Sequence, residues 1–290
     1  MKLLKIWIEA MRLRTLPVSV AGVIAGVAYG AIYSPVRWGA AVACLAFAVL
    51  AQIASNFANE YFDYRDGLDR PGREGPRRGV TEGDISPRAM LTATLLSLGL
   101  ACACGCVLIA YSGWWLIIAG AVIALAALAY SAGPWPLSRH GLGEVTVILF
   151  FGIVPVMFSC YLQCGSWPSQ ALLGSIAIGL MGANVLLVNN YRDRDDDRDV
   201  GKTTLAVLLG PRATLALYFL NGAAACALIY GVWRGLNLRA IPVVYLIVHA
   251  ILFLMLIRRT GRALNPLLGL TAMLMLLYSI TFAIVISLHL

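Results

Sequence analysis

Asn59-Glu60-Tyr61-Phe62-Asp63 ends one long apolar run, and Asn189-Asn190-Tyr191-Arg192-Asp193 ends another, 130 positions later. Each is followed by more acids: Asp66 and Asp69 after the first, Asp195, Asp196, Asp197 and Asp199 after the second. Carboxylates at the edge of a membrane span are costly and mark function. Two such clusters on one pattern point to a single polyanionic site, built by two facing half-bundles and bridged by metal ions.

The surroundings support a membrane setting. The chain of 290 residues is 60% hydrophobic and only 12% charged, with a mean hydropathy of +0.82. A helical span needs about 20 mostly apolar residues. Nine runs of that kind are predicted, at 15–33, 38–62, 88–111, 114–131, 143–163, 170–191, 212–233, 240–257 and 265–288. The expected fold is all-α: a polytopic bundle of nine transmembrane helices around a central cavity, with 1–290 forming one membrane domain.

Charge orients the bundle. With the N-terminus cytoplasmic, only Arg37, Arg234 and Arg239 face the other side, and all other lysines and arginines fall on the cytoplasmic side. This positive-inside bias puts both acidic clusters in the cytoplasm and gives the net charge of +8 a topological reading. No separate basic domain exists to carry nucleic acid. No cleavable signal peptide is expected, because Glu9, Arg12 and Arg14 interrupt the first apolar stretch. Residues 2–13 read as an amphipathic helix on the bilayer surface, offering Leu3, Leu4, Ile6, Trp7, Ile8 and Met11 to lipid. The seven cysteines read as apolar fillers, since Cys102, Cys104 and Cys106 do not share a helix face, and the three histidines are scattered.

The pattern repeats beyond the acids. Ser86-Pro87-Arg88-Ala89 follows the first cluster and Gly210-Pro211-Arg212-Ala213 the second, each placing proline where a helix begins. Four spans separate the copies, so both run in one direction, an internal parallel repeat. Gln52, Asn56, Asn59 and Asp63 form one helical stripe, with Glu60 at its edge; Asn189, Asp193 and Asp197 form another. A polar stripe at membrane depth should face protein or a wet cavity.

Oxygen-only carboxylate clusters suit Mg²⁺ or Ca²⁺. Arg77, Arg78, Arg139, Arg192, Arg198 and Lys202 share the same loops, and acids for metal beside bases for an oxyanion compose a diphosphate site. A diphosphate at the mouth of an apolar cavity implies a lipid tail below it, and a polyprenyl diphosphate has that shape. Tyr61, Tyr130 and Tyr191 are candidates to stabilise an allylic cation, or else belong to an interfacial aromatic belt.

At these residues the chain resembles the UbiA superfamily of intramembrane prenyltransferases, and is most similar to the branch that prenylates 1,4-dihydroxy-2-naphthoate in menaquinone biosynthesis. The likeness rests on Asn59 through Asp69, on Asn189 through Leu205, and on Arg14-Thr15-Leu16-Pro17, Gly75-Pro76-Arg77-Arg78-Gly79-Val80 and Tyr130 through Glu144. Glu60 departs from the pattern, which usually has aspartate there. The resemblance implies a polyprenyl diphosphate donor, a 1,4-dihydroxy-2-naphthoate acceptor and an enzyme in the cytoplasmic (inner) cell membrane. It implies Mg²⁺ held by Glu60, Asp63, Asp66, Asp69, Asp193 and Asp197, with catalysis by Asn59, Asp63, Asp193, Asp197, Tyr130 and Tyr191. It further implies substrate contacts from Lys202, Arg139, Arg192 and Asn189, and an acceptor carboxylate held by Arg14 or Arg78. The ionised donor is attacked by the electron-rich ring, which loses a proton and CO₂ to give demethylmenaquinone. Rival expectations are another acceptor, such as 4-hydroxybenzoate, homogentisate or a porphyrin; a cation or phosphate transporter, whose site would lie nearer the midplane; and a non-catalytic lipid-binding scaffold.

Overall fold

Ten main helices carry the chain. A computed structural model describes residues 2–289: α1 (Lys2–Ala10), α2 (Pro17–Ala31), α3 (Trp38–Arg65), α4 (Pro87–Ser112), α5 (Trp115–Ala129), α6 (Gly143–Cys164), α7 (Ser169–Asp199), α8 (Leu205–Gly235), α9 (Ala240–Ile257) and α10 (Asn265–His289). Among the described residues the only β-type pairing is an isolated bridge between His140 and Thr203. Seven helices, α3, α4 and α6 through α10, are long and apolar enough to cross a membrane. With the family match reported below, they make this an integral membrane protein. Two of the nine expected runs fall on α2 and α5, apolar helices of 15 residues. That is about 22 Å of helix, against a hydrocarbon layer of roughly 30 Å.

Small residues decide how closely the bundle packs. Gly22, Gly26 and Gly30 lie one turn apart on α2, and a methyl group at any of them would collide with α6, at Phe151 O, Val156 O or Gln163. Gly152 of α6 meets Gly179 of α7 backbone to backbone. In lipid no hydrophobic force drives helix association, so such close approach supplies the dispersion contact instead. Next to this seam α6 widens into a π-helical stretch over Ile148–Ile153, ahead of Pro155. A proline ring removes one backbone donor and crowds the preceding turn, and a π-bulge is one way a helix absorbs that.

Both Pro-Arg-Ala segments open helices. Ser86 Oγ accepts the Ala89 N–H at 3.2 Å, capping α4 at Pro87. Within α8, Gly210 adopts φ 75° and breaks the helix, so that a new segment starts at Pro211. Helix α1 is less lipid-facing than expected: Ile6 and Ala10 are buried with Phe57, Val80, Ile85 and Met90, and Trp7 packs edge-on to Phe57 at 5.6 Å. Leu3, Leu4 and Ile8 stay exposed.

Candidate active site

The two acidic helix ends finish alike. At the end of α3, Gly67 takes φ 71°, the Gly67 N–H bonds to Tyr64 O and the Leu68 N–H bonds to Asp63 O. At the end of α7, Gly201 takes φ 77°, the Gly201 N–H bonds to Arg198 O and the Lys202 N–H bonds to Asp197 O. Glycine accepts this left-handed backbone without a Cβ clash, and the paired bonds satisfy the last carbonyls of the helix. The reversal turns Lys202 back into the protein, where it is buried.

There the two clusters meet through cations. Lys202 Nζ donates to Asp63 Oδ2 at 2.8 Å and stands 3.9 Å from Asp197 Oδ1. Arg73 bridges the same gap, at 2.5 Å from Asp69 and 2.7 Å from Asp193. Arg192 lies along Asp193 at 2.7 Å and also donates to Asn189 and Asn265. Arg139 joins Asp63 at 3.4 Å to Asp66 at 2.6 Å. Asp63 itself is wholly buried, and burying an unpaired carboxylate is prohibitive, so these cations are what permit it. Burial pushes the Asp69 carboxyl above its usual range, against the pull of Arg73. Asp66, exposed and hydrogen-bonded by Arg65, is drawn below it. Burial works against the charge of Arg73, and Asp193 and Asp69 more than restore it, raising its pKa.

The polar stripe of α3 grips the segment joining α1 to α2. Gln52 Nε2 donates to Thr15 O at 2.9 Å and Asn56 Nδ2 to Met11 O at 3.0 Å. Gln52 Oε1 also accepts from Ser19 Oγ. Asn59 Nδ2 donates to Asp63 and to Ser131 Oγ, and its Oδ1 accepts from Arg12 at 2.5 Å and from Arg78 at 3.3 Å.

Beside this constellation opens a cavity of about 680 Å³. Its polar end carries Asn59, Arg78, Asn189, Arg192, Asp193, Asp197 and Lys202, and its apolar end runs between Phe47, Leu116, Ile123, Phe150 and Phe158. Tyr130 lines it as well. Asp63 and Asp69 stand behind the lining, held by Lys202, Arg73 and Arg78. Glu60 is placed differently from an open ligand: it is buried, accepts the Val80 N–H at 3.1 Å and lies 3.9 Å from Arg78, so it anchors the 79–80 turn. Tyr191 does not line the cavity; it packs on the main core, with Arg194 over its ring at 5.7 Å. Tyr61 turns instead toward Phe62 and the small core under α1. Arg14 reaches the cavity but is exposed, and Asp195 pairs with Arg194 and Arg198 at the surface.

Three residues not among the expected site residues complete the site. Arg12 and Arg73 enter from loops. Glu144 accepts from the cavity-lining Asn190 at 2.9 Å, with its other oxygen buried and unpaired. Among the described residues no three acids, histidines or cysteines converge as a metal cluster, because Arg73 and Lys202 stand between the carboxylates.

A divalent ion fits this donor set: several buried hard oxygens suit Mg²⁺, and Asp69 Oδ2 is buried with no hydrogen bond. The arrangement as a whole can hold a polyanion at the mouth of an apolar cavity. Known proteins agree with that. The model of the UbiA prenyltransferase family matches residues 19–280. A Haemophilus influenzae protein named 1,4-dihydroxy-2-naphthoate octaprenyltransferase is 34% identical over 295 residues, covering 97% of this chain and 95% of its own. A Mycobacterium tuberculosis protein of the same name is 39% identical over 212 residues, covering 73% and 72%. The structure of a UbiA homolog from Archaeoglobus fulgidus bound to GPP and Mg²⁺ superposes with a TM-score of 0.70 at 17% identity, over 96% of this chain and 99% of that one.

Proposed function

This chain belongs to the UbiA prenyltransferase family, and on that premise we propose that it joins a polyprenyl diphosphate to 1,4-dihydroxy-2-naphthoate in menaquinone biosynthesis. The observation that carries the reading is the meeting of two acidic helix ends over one cavity, polar at one end and apolar below. The naphthoate acceptor is supported by two relatives, each covering most of its length and this chain's, that bear that substrate in their names.

In this reading Asp63, Asp69, Asp193 and Asp197 would hold Mg²⁺. Asp66 and Glu60 stand outside that set, the first paired with Arg139 and Arg65 and the second with the Val80 amide. Bound Mg²⁺ supplies positive charge that neutralises the departing pyrophosphate. Lys202, Arg192 and Arg73 add charge-assisted hydrogen bonds to phosphate oxygens, and Arg139 pairs with Asp63. The prenyl chain lies along Phe47, Leu116, Ile123 and Phe158, which exclude water from the allylic carbon. Tyr130 and Asn59 offer a ring face and an amide to the positive charge that develops there. The C–O bond breaks with its electron pair leaving on pyrophosphate, and a ring carbon of the acceptor forms the new C–C bond. CO₂ leaves with its bonding electrons returned to the ring. A proton lost from the ring is matched by one gained where the carboxylate was, so the product is the quinol form of demethylmenaquinone.

The reading extends to topology. Nine crossings require α2 and α5 to span with their flanking turns: Leu16, Ile32, Trp114 and Tyr130 all hold helical backbone angles and lengthen both helices. The parallel repeat is supported by the shared glycine endings of α3 and α7 and by the two Pro-Arg-Ala helix starts. The excess of arginine in the loops around the site favours the cytoplasmic face of the inner membrane, and the whole chain then acts as one domain. Purified protein given Mg²⁺, a polyprenyl diphosphate and a panel of aromatic acceptors should yield a decarboxylated prenyl-naphthoquinol by mass. Product with 4-hydroxybenzoate but not with the naphthoate would overturn the acceptor assignment.

A further inference from the structure

Arg12 is a half-buried cation lining the cavity with no carboxylate within ion-pair distance among the described residues. Among the other lysines and arginines that line the cavity, Arg73, Arg77, Arg78, Arg192 and Lys202 each have an acid within ion-pair distance. Arg14 has none, but it is exposed. Arg12 also has none among the described residues, and its Nε is buried with no hydrogen-bond partner. A buried donor atom left unused is costly unless an acceptor completes it.

Its placement is built in. The backbone at Arg12 takes φ 55°, which is unusual for a residue with a long side chain. The turn persists because the Arg12 N–H bonds to Glu9 O, and Arg12 O accepts from both the amide and the hydroxyl of Thr15. Asn56 and Gln52 hold the carbonyls of Met11 and Thr15 on either side. Strain fixed by surrounding structure is common at ligand clamps. The guanidinium then rests on Asn59 Oδ1, which Arg78 shares. Two guanidinium groups thus meet at one amide oxygen on the side of the cavity walled by the α1–α2 segment, while Arg192 and Lys202 stand on the α7 side.

We propose that Arg12, assisted by Arg78, binds the carboxylate of the aromatic acceptor and so sets the preference for acceptors that carry one. This rests on the prenyltransferase reading above. A planar guanidinium matches a carboxylate in two parallel hydrogen bonds, and the open Nε is the donor that a side-on bidentate contact requires. The diphosphate is the other anion present, and the experiment separates the two.

Arg12→Asn suits the test because asparagine tolerates left-handed backbone, so the turn is kept and the guanidinium lost; Arg12→Lys keeps charge without the fork. Steady-state rates are measured for wild type and both variants with 1,4-dihydroxy-2-naphthoate and with 1,4-dihydroxynaphthalene, which lacks the carboxylate. The expected result is a KM for the naphthoate raised at least about tenfold in R12N. The kcat/KM ratio of the naphthoate to the naphthalene-diol should collapse toward one, with R12K intermediate. The KM for the prenyl diphosphate should move less than about twofold. An unchanged naphthoate KM, or a rise confined to the diphosphate, overturns the proposal. Should wild type make no product from the naphthoate, the function reading fails instead, and 4-hydroxybenzoate against phenol tests Arg12 in the same way.

Discussion

The ends of α3 and α7 invite comparison because they close with the same glycine turn yet differ by one helical turn in what precedes it. Counted from the Asn-x-Tyr-x-Asp motif, Asp63 matches Asp193. Counted back from the closing glycine, Asp63 matches Asp197, and the residue after the glycine is Leu68 in one half and Lys202 in the other. The extra four residues of α7 are close to one turn, so Asp193 and Asp197 share a face. The second half thereby carries two of the proposed metal-holding carboxylates on a rigid helix and a lysine just beyond it. The first half carries one of that set, Asp63, on the helix and takes Asp69 and Arg73 from a long loop. Two similar motifs thus end differently, one fixed by helix geometry and one assembled by a loop, and the loop supplies the crossing cation Arg73.

The largest effects should break the comparison at its acids. Asp63→Asn and Asp193→Asn should each lower Mg²⁺-dependent turnover at least about 1000-fold, read by product formation, with the protein still monodisperse in detergent. If Asp197→Asn were as damaging and Asp193→Asn mild, the glycine register rather than the motif register would be the functional one. The two crossing cations come next. Lys202→Ala and Arg73→Ala should each cost about 10–100-fold in kcat/KM for the diphosphate. Lys202 is expected to cost more, since the closing turn of α7 fixes it whereas Arg73 comes from an irregular loop; equal losses would remove the asymmetry. The smallest effect concerns the turns. Gly67→Ala and Gly201→Ala should each lose about 1 kcal/mol of stability from left-handed backbone strain, read as a lower melting temperature. Only Gly201→Ala should also raise the KM for the diphosphate, because that turn aims Lys202.

Helical spacing made much of this site readable in the sequence. The stripe Gln52, Asn56, Asn59 and Asp63 and the face Asn189, Asp193 and Asp197 both turn toward the cavity region as period 3.6 requires. The same rule bears on Tyr61 and Tyr191: two positions after Asn59 and Asn189 is about 200° around a helix, and Tyr191 accordingly packs on the core while Tyr61 joins the small core under α1. Arg12 could not be found this way, because its direction depends on a left-handed turn that arginine gives no sign of. Arg73 is one of several arginines in an irregular loop where no period ranks them. Glu60 stood out as a departure from the family pattern, and its bond to the Val80 amide is a tertiary contact across 20 residues that spacing does not encode. The regular parts of α2 and α5 are shorter than the expected runs 15–33 and 114–131, since apolar composition continues through the flanking turns.

The central claim is that two acidic helix ends form one Mg²⁺-dependent diphosphate site. Calorimetric titration of a short prenyl diphosphate into the detergent-purified protein, with Mg²⁺ and with EDTA, tests it most directly when wild type is set beside D63N and D193N. Wild type should bind only with Mg²⁺, and each single variant should weaken binding at least about tenfold. Either variant binding as tightly as wild type in Mg²⁺ would mean that one cluster suffices, and would contradict the account.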